Sequence, residues 1–235
     1  KFFKDFKNLI IEKKIKIIFQ NTKDKRVFNY LNKNGFDVIE INNLKKYKIN
    51  NNFNLTLYKS DFYDSALILE IEDKVIFNLN DCPINNKKEL SFLLKHFKKC
   101  DLLLTQFSYA AWKGGKNNTI WRKNAAKSKQ EALLAQSNYL NAKNTIPFAS
   151  FIYFSNEKNF YLNDHINNPN DILELNKYTQ SNILFFQPNE EQYLESLNQS
   201  KESINFWKNI YKNISQRKLI INKTKFKETH TIENA

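Results

Sequence analysis

Asp64-Ser65-Ala66-Leu67-Ile68-Leu69-Glu70-Ile71-Glu72-Asp73-Lys74-Val75-Ile76-Phe77-Asn78-Leu79-Asn80-Asp81-Cys82 is the stretch on which the fold turns. Residues 66–71 are apolar, 72–74 form a charged tight turn, and 75–79 run back as a second apolar segment. That pattern predicts an antiparallel hairpin. Asp64 precedes its first strand and Asp81 follows its second, so both acids belong to the ends of the same ribbon. An acid at the carboxyl end of an apolar strand can hold a metal or polarise a substrate, because the strand fixes the backbone while the side chain leaves the core. The plainer alternative for each is a turn or cap, which Asp forms readily. Asp81 in particular stands beside Cys82-Pro83, where a proline ends the ladder.

Outward from the hairpin the chain alternates strands and helices. Residues 14–20 and 36–41 read as strands around a helix at 24–34 that Gly35 stops, a unit that favours a parallel pair with a right-handed crossover. Ahead of it, Phe2, Phe3, Phe6, Leu9 and Ile10 recur at helical spacing within residues 1–13. Residues 53–59 alternate as a strand, 88–97 form a helix, and 101–106 a buried strand. An aperiodic loop at 107–119 holds Gly114-Gly115, and a long alanine-rich helix follows at 121–139. Strands at 145–154 and 182–187 enclose a helix at 168–178 that opens with Pro169. A terminal helix is expected at 200–216, with a poorly ordered tail to Ala235. No internal repeat or linker interrupts this order, which describes one layered α/β sheet protein.

The chain has 235 residues, 41% of them hydrophobic, with 20 Phe and 11 Tyr, so it can bury a full core and is not a disordered polymer. No apolar run approaches the roughly 20 residues that cross a bilayer, and no secretory leader is visible. The formal net charge is +13, yet only Arg26, Arg122 and Arg217 supply guanidinium. Bidentate reading of bases and phosphates relies on arginine. The excess of Lys, Asn, Ile, Phe and Tyr over Gly, Arg and Pro fits an AT-rich coding sequence, so nucleic acid is not the expected partner. A general attraction for small anions does follow from the charge. Cys82 and Cys100 give no disulfide framework, as expected for reduced thiols in a cytoplasmic protein.

Chemical motifs are sparse. His96 lies in the lysine-rich end of a helix, His165 in a loop and His230 in the tail. Neither H-x-H-x-D-H, H-E-x-x-H nor C-x-x-C occurs, so this chain is not expected to complete a zinc site alone. It also lacks the paired Cys and His of a Rieske iron–sulfur cluster. The loop offers Ser108, Tyr109, Trp112, Lys113 and Lys116, with Arg122 and Lys123 opening the next helix. Such a mixed aromatic and cationic set suits a sugar or a nucleotide phosphate. A merely solvated loop is the other reading.

Taken in order, Asp64-Ser65-Ala66-Leu67-Ile68, Phe77-Asn78-Leu79-Asn80-Asp81-Cys82, the run from Asp101 to Ala110, Ile146-Pro147-Phe148-Ala149-Ser150-Phe151 and Asn163-Asp164 resemble the metallo-β-lactamase superfold. More narrowly they are similar to the branch containing CMP-N-acetylneuraminate hydroxylase, over residues 14–187. The resemblance implies an α/β fold, an αββα sandwich with one or two metal ions at the sheet edge, zinc or iron being the expected kinds. It makes Asp81 the acid that can bridge two metals, and sets Asp64 where relatives present a His or an acid. Pro147-Phe148-Ala149 stands in the region of the closing metal histidine, as in the hydroxylase branch. The histidine cluster of the superfamily would lie before residue 1, so the resemblance implies a later portion of a larger enzyme, with an apolar sheet face left uncovered.

On that resemblance, residues 1–187 would be the metallo-β-lactamase-like domain and 188–235 a C-terminal helix and tail. The substrate would be a small anionic sugar, sugar phosphate or nucleotide-sugar, lined by Ser108, Tyr109, Trp112 and Lys123. Monooxygenation would require a preceding part of the chain or a separate Rieske partner to deliver electrons. A hydrolase or lactonase of the same fold, or a binding module without chemistry, are the alternatives.

Overall fold

The computed structural model describes residues 2–60 and 64–221. Its main sheet has seven strands in sequential order: β3 (Tyr47–Asn50), β4 (Phe53–Lys59), β5 (Ser65–Ile71), β6 (Lys74–Asn80), β7 (Leu102–Gln106), β8 (Asn144–Ala149) and β9 (Asn182–Ile183). Pairing is antiparallel from β3 to β6 and parallel from β6 to β9. The hairpin of β5 and β6 is thus where the two halves of the sheet join, with Glu72 supplying the left-handed turn residue at φ 52°. A smaller parallel sheet of β1 (Lys16–Gln20) and β2 (Asp37–Ile41) flanks α2 (Arg26–Lys33), as the strand–helix–strand pattern predicts.

Side-chain alternation explains the layering. On one face of the main sheet Ala66, Ile68, Phe77, Leu79 and Leu103 pack with Leu90, Leu93 and Phe97 of α3 (Lys87–Phe97). On the other face Leu55, Leu57, Leu67 and Leu69 meet Ile18, Ile39 and Ile41 of the small sheet. The alternate residues of those two strands, Ile17 and Val38, turn outward to Ile10 of α1 (Phe2–Glu12) and Leu31 of α2. The result is helix, sheet, sheet, helix, the αββα order expected. The second sheet has two strands against seven, and Phe148 on β8 remains 38% exposed.

A further core joins α4 (Thr119–Tyr139), α5 (Pro169–Leu173), β9 and α6 (Lys201–Lys212) through Leu133, Ile172, Ile183, Phe185 and Trp207. Several elements differ from expectation for local reasons. β3 is a polar edge strand, which carries little apolar signal. β8 stops at Ala149 because its partner β7 ends opposite, at Gln106. β9 is cut short where the Gln199 carboxamide replaces a neighbouring strand, accepting from Phe185 N and donating to Phe185 O, each at 2.7 Å. The segment Glu157–His165 is 3₁₀-helical and not loop, and residues 174–178 continue α5 in the same tighter form. Among the described residues no helix is long and apolar enough to cross a membrane. The tail beyond residue 221 lies outside the described residues.

Candidate functional site

The β5–β6 register runs from Ile71 opposite Lys74 to Leu67 opposite Asn78. Asp64 lies just before β5 and Asp81 just after β6, at the same end of the hairpin, and both side chains are exposed. Local turn geometry sets the position of Asp81. The pairing of β6 with β7 shifts between Asn78 and Asn80, and Asn80 takes the left-handed conformation at φ 47°. Its Nδ2 then donates to Asp81 Oδ1 at 2.9 Å, and Cys82 N closes the turn on Leu79 O at 2.8 Å.

Behind this edge the Cys82 thiol is pushed up to about 12, first by burial and then by the charges of Asp64, Asp81 and Glu89. Both aspartates therefore act on one buried sulfur. Glu89 belongs to the cap of α3, where Asn86 Oδ1 accepts from Glu89 N at 2.9 Å and Asn86 Nδ2 donates to Glu89 Oε2 at 2.8 Å. Tyr58 OH donates to its other oxygen at 2.8 Å, and burial together with that carboxylate raises the phenol to about 12.

Along the same edge β7 ends at Gln106, whose Oε1 accepts a hydrogen bond from Lys129 Nζ of α4. Burial and the neighbouring Lys113 lower the Lys129 pKa, while Asp81 opposes them. A cavity of about 70 Å³ opens between them, lined by Asn80, Cys82, Gln106 and Lys129. Its floor is fixed by Thr105 Oγ1 donating to Gln136 Oε1, and Gln136 Nε2 donating to Ile84 O at 2.8 Å. Sequence reasoning missed Lys129, since nothing separates it from the many other lysines before the helix is placed on the strand ends.

The loop residues are divided. Ser108 is fully buried and its Oγ accepts from Asn167 N at 3.1 Å. Tyr109 is 1% exposed, with its hydroxyl donating to Leu162 O at 2.6 Å. The expectation that these two line a substrate is corrected to this extent: the chain dives into the core after β7, and their polar atoms bind protein. Trp112 is 60% exposed and packs edge-on against Trp121 at 5.3 Å, while Lys123 is exposed on α4. Arg122, read as part of the cationic set, is 1% exposed and holds Asp164 in a bidentate pair beneath the Tyr161 ring.

As a metal site the edge is partial. Among the described residues no group of three or more His, Cys, Asp or Glu side chains is placed to share an ion. Catalytic zinc takes three protein ligands, so Asp64 and Asp81 by themselves do not complete a zinc site. A hard divalent cation is different: magnesium is commonly held by one or two carboxylates, with water and substrate phosphate filling its shell. Two exposed aspartates at one strand edge fit that donor set.

No protein-family model matches the chain, and no curated protein does. Solved structures do. One, CmlA, a diiron β-hydroxylase from Streptomyces venezuelae, is similar to this chain at 8% identity, with a TM-score of 0.49 over 73% of this chain and 38% of that one. Another, the metallo-β-lactamase fold protein YhfI from Bacillus subtilis, is similar to this chain at 8% identity, with a TM-score of 0.43 over 79% of this chain and 70% of that one. The chain thus spans 38% of the length of the hydroxylase.

Proposed function

We propose that this chain supplies the carboxylate side of a divalent-metal site in a metallo-β-lactamase-like enzyme acting on a small phosphorylated sugar or nucleotide-sugar in the cytoplasm. The position of Asp64 and Asp81 at the same end of the β5–β6 hairpin carries the proposal. Asp64 and Asp81 bind the cation, and the Asn80 carboxamide orients Asp81 through its 2.9 Å hydrogen bond. Gln106 holds the Lys129 ammonium at the same edge, where it meets an anionic group of the substrate in a charge-assisted hydrogen bond. Lys113 adds to the positive field felt there. A bound metal supplies Lewis-acid polarisation of an oxygen and activation of a small nucleophile or oxidant. Hydroxylation of a CMP-sugar, as in the branch the sequence resembles, would draw electrons from a Rieske partner; hydrolysis needs none.

Manganese is a suitable probe of the pair because its binding is read directly by electron paramagnetic resonance. The full chain is expected to take up Mn²⁺, to hold it more tightly when a sugar phosphate is present, and to lose it in Asp64→Asn and Asp81→Asn. Lys129→Gln is expected to keep the metal and lose the enhancement by sugar phosphate. Equal Mn²⁺ uptake by the Asp64→Asn/Asp81→Asn double variant, or no uptake by the parent chain, overturns the proposal.

A further inference from the structure

A cavity of about 720 Å³ lies between the 3₁₀ helix Glu157–His165, the start of α5 and the end of α6. It shares no lining residue with the cavity beside Asp81. Phe160, Tyr161 and Tyr211 give it ring surface, and Lys208 and Lys212 stand at its wall. The two lysines follow at i and i+4 on α6, so they occupy one face of that helix. Both are exposed, and among the described residues neither ammonium has an ion-pair partner.

The ring wall is built in advance of any ligand. Tyr161 OH donates to Gly114 O at 3.0 Å, and its ring lies 5.2 Å from the Arg122 guanidinium carbon. Arg122 in turn neutralises Asp164, one of the two acids in the lining. The other, Asp171, is exposed at the start of α5, and its carboxylate accepts from Asn168 Nδ2. The Asn170 side chain adds a carboxamide nearby. The volume falls within the range of roughly 300–1,000 Å³ of small-molecule sites. A bare phosphate would leave the rings unused, and a neutral aromatic would leave the lysines unused.

We propose that this cavity binds a nucleoside phosphate, with the base against Phe160, Tyr161 and Tyr211 and the phosphate on Lys208 and Lys212. The site is separate from the Asp64–Asp81 edge, so it stands or falls independently of the metal proposal. Aromatic stacking and charge-assisted hydrogen bonds supply the recognition.

The test is calorimetric titration of the full chain with CMP, UMP, AMP and GMP, alongside ribose 5-phosphate and inorganic phosphate. At least one nucleotide is expected to bind more tightly than either base-free probe. The Lys208→Ala/Lys212→Ala variant, altered only at exposed positions, is expected to weaken that binding by about tenfold or more. Asp64→Asn/Asp81→Asn is expected to leave it unchanged. Equal affinity for inorganic phosphate and nucleotide overturns the stacking half of the proposal. Undiminished binding in the lysine variant overturns the location, and no binding by any nucleotide overturns the site.

Discussion

Arg122 and Asp164 meet fork to fork, with guanidinium Nε and Nη2 each donating to a separate carboxylate oxygen at 2.7 Å. The remaining donors reach Gly115 O at 2.7 Å and Lys116 O at 2.9 Å. One side chain of α4 therefore ties the loop after β7 to the 3₁₀ helix Glu157–His165. Arg122→Ala strips these contacts at a site 1% exposed and is expected to destabilise the fold by about 3 kcal/mol. Asp164→Asn, at the more exposed partner, should cost less. Urea denaturation of both variants measures the difference, and equal midpoints would contradict the clasp.

Gly114 makes a second, sharper test of the same loop. Its φ is +80°, and an added Cβ would lie 2.6 Å from Asn118 Cβ and 2.7 Å from Trp121 Cε3. Gly114→Ala is expected to lose about 1–3 kcal/mol through backbone strain and overpacking. At Gly115 the nearest atom is 3.5 Å away and no positive φ is required, so Gly115→Ala should stay within about 0.5 kcal/mol of the parent. Thermal melts of the two single variants separate these outcomes.

How far the sequence reaches can be judged from particular residues. The hairpin of β5 and β6 was legible because apolar runs, a charged turn and flanking aspartates coincide in one stretch. Asp64 just before β5 and Asp81 just after β6 lie at the ends of the hairpin that the pattern marks. Ser108, Tyr109 and Arg122 were not legible in the same way. A polar or cationic residue in an aperiodic segment reads identically whether it faces water or an internal partner, and those partners, Asn167, Leu162 and Asp164, lie far along the chain. Lys129 was hidden for the converse reason, its role depending on where α4 rests against Gln106. The 3₁₀ helix Glu157–His165 has no hydrophobic period to betray it.

Glu190 is expected to contribute to acid sensitivity. Burial pushes its pKa up, but hydrogen bonds from Ser203, Gln192, Gln187 N and Ser200 outweigh burial and hold the carboxyl below its ordinary value. A folded-state value below the unfolded one means the carboxylate stabilises the fold above the unfolded pKa of about 4.5. That contribution is lost as pH falls through the folded value. Glu190→Gln should therefore be less stable than the parent near neutrality and converge with it in strong acid. Urea midpoints across the acid range would show parallel curves if Glu190 contributed nothing.

Helix α6 is bound into the core and not hung from it. Trp207 of α6 stacks on Phe151 with ring centroids 3.8 Å apart and planes 10° from parallel, and its Nε1 donates to Phe186 O at 2.9 Å. Phe151 in turn meets Phe107 and Phe185 edge-on at 5.0 and 5.8 Å, so the indole closes a cluster that reaches the end of β7. Trp207→Ala removes the largest member of that cluster and leaves a void, at an expected cost of about 3–5 kcal/mol. Trp207→Phe keeps the stack but forfeits the hydrogen bond, so it should lose about 1 kcal/mol. A chain ended at Gln187 lacks α6 altogether and would expose Ile172, Ile183 and Phe185 to water, which predicts binding of a hydrophobic dye and a broadened unfolding transition. A truncated chain that instead melts as sharply as the whole would mean the segment from residue 188 is an appendage, with its packing on Phe151 contributing nothing to the fold.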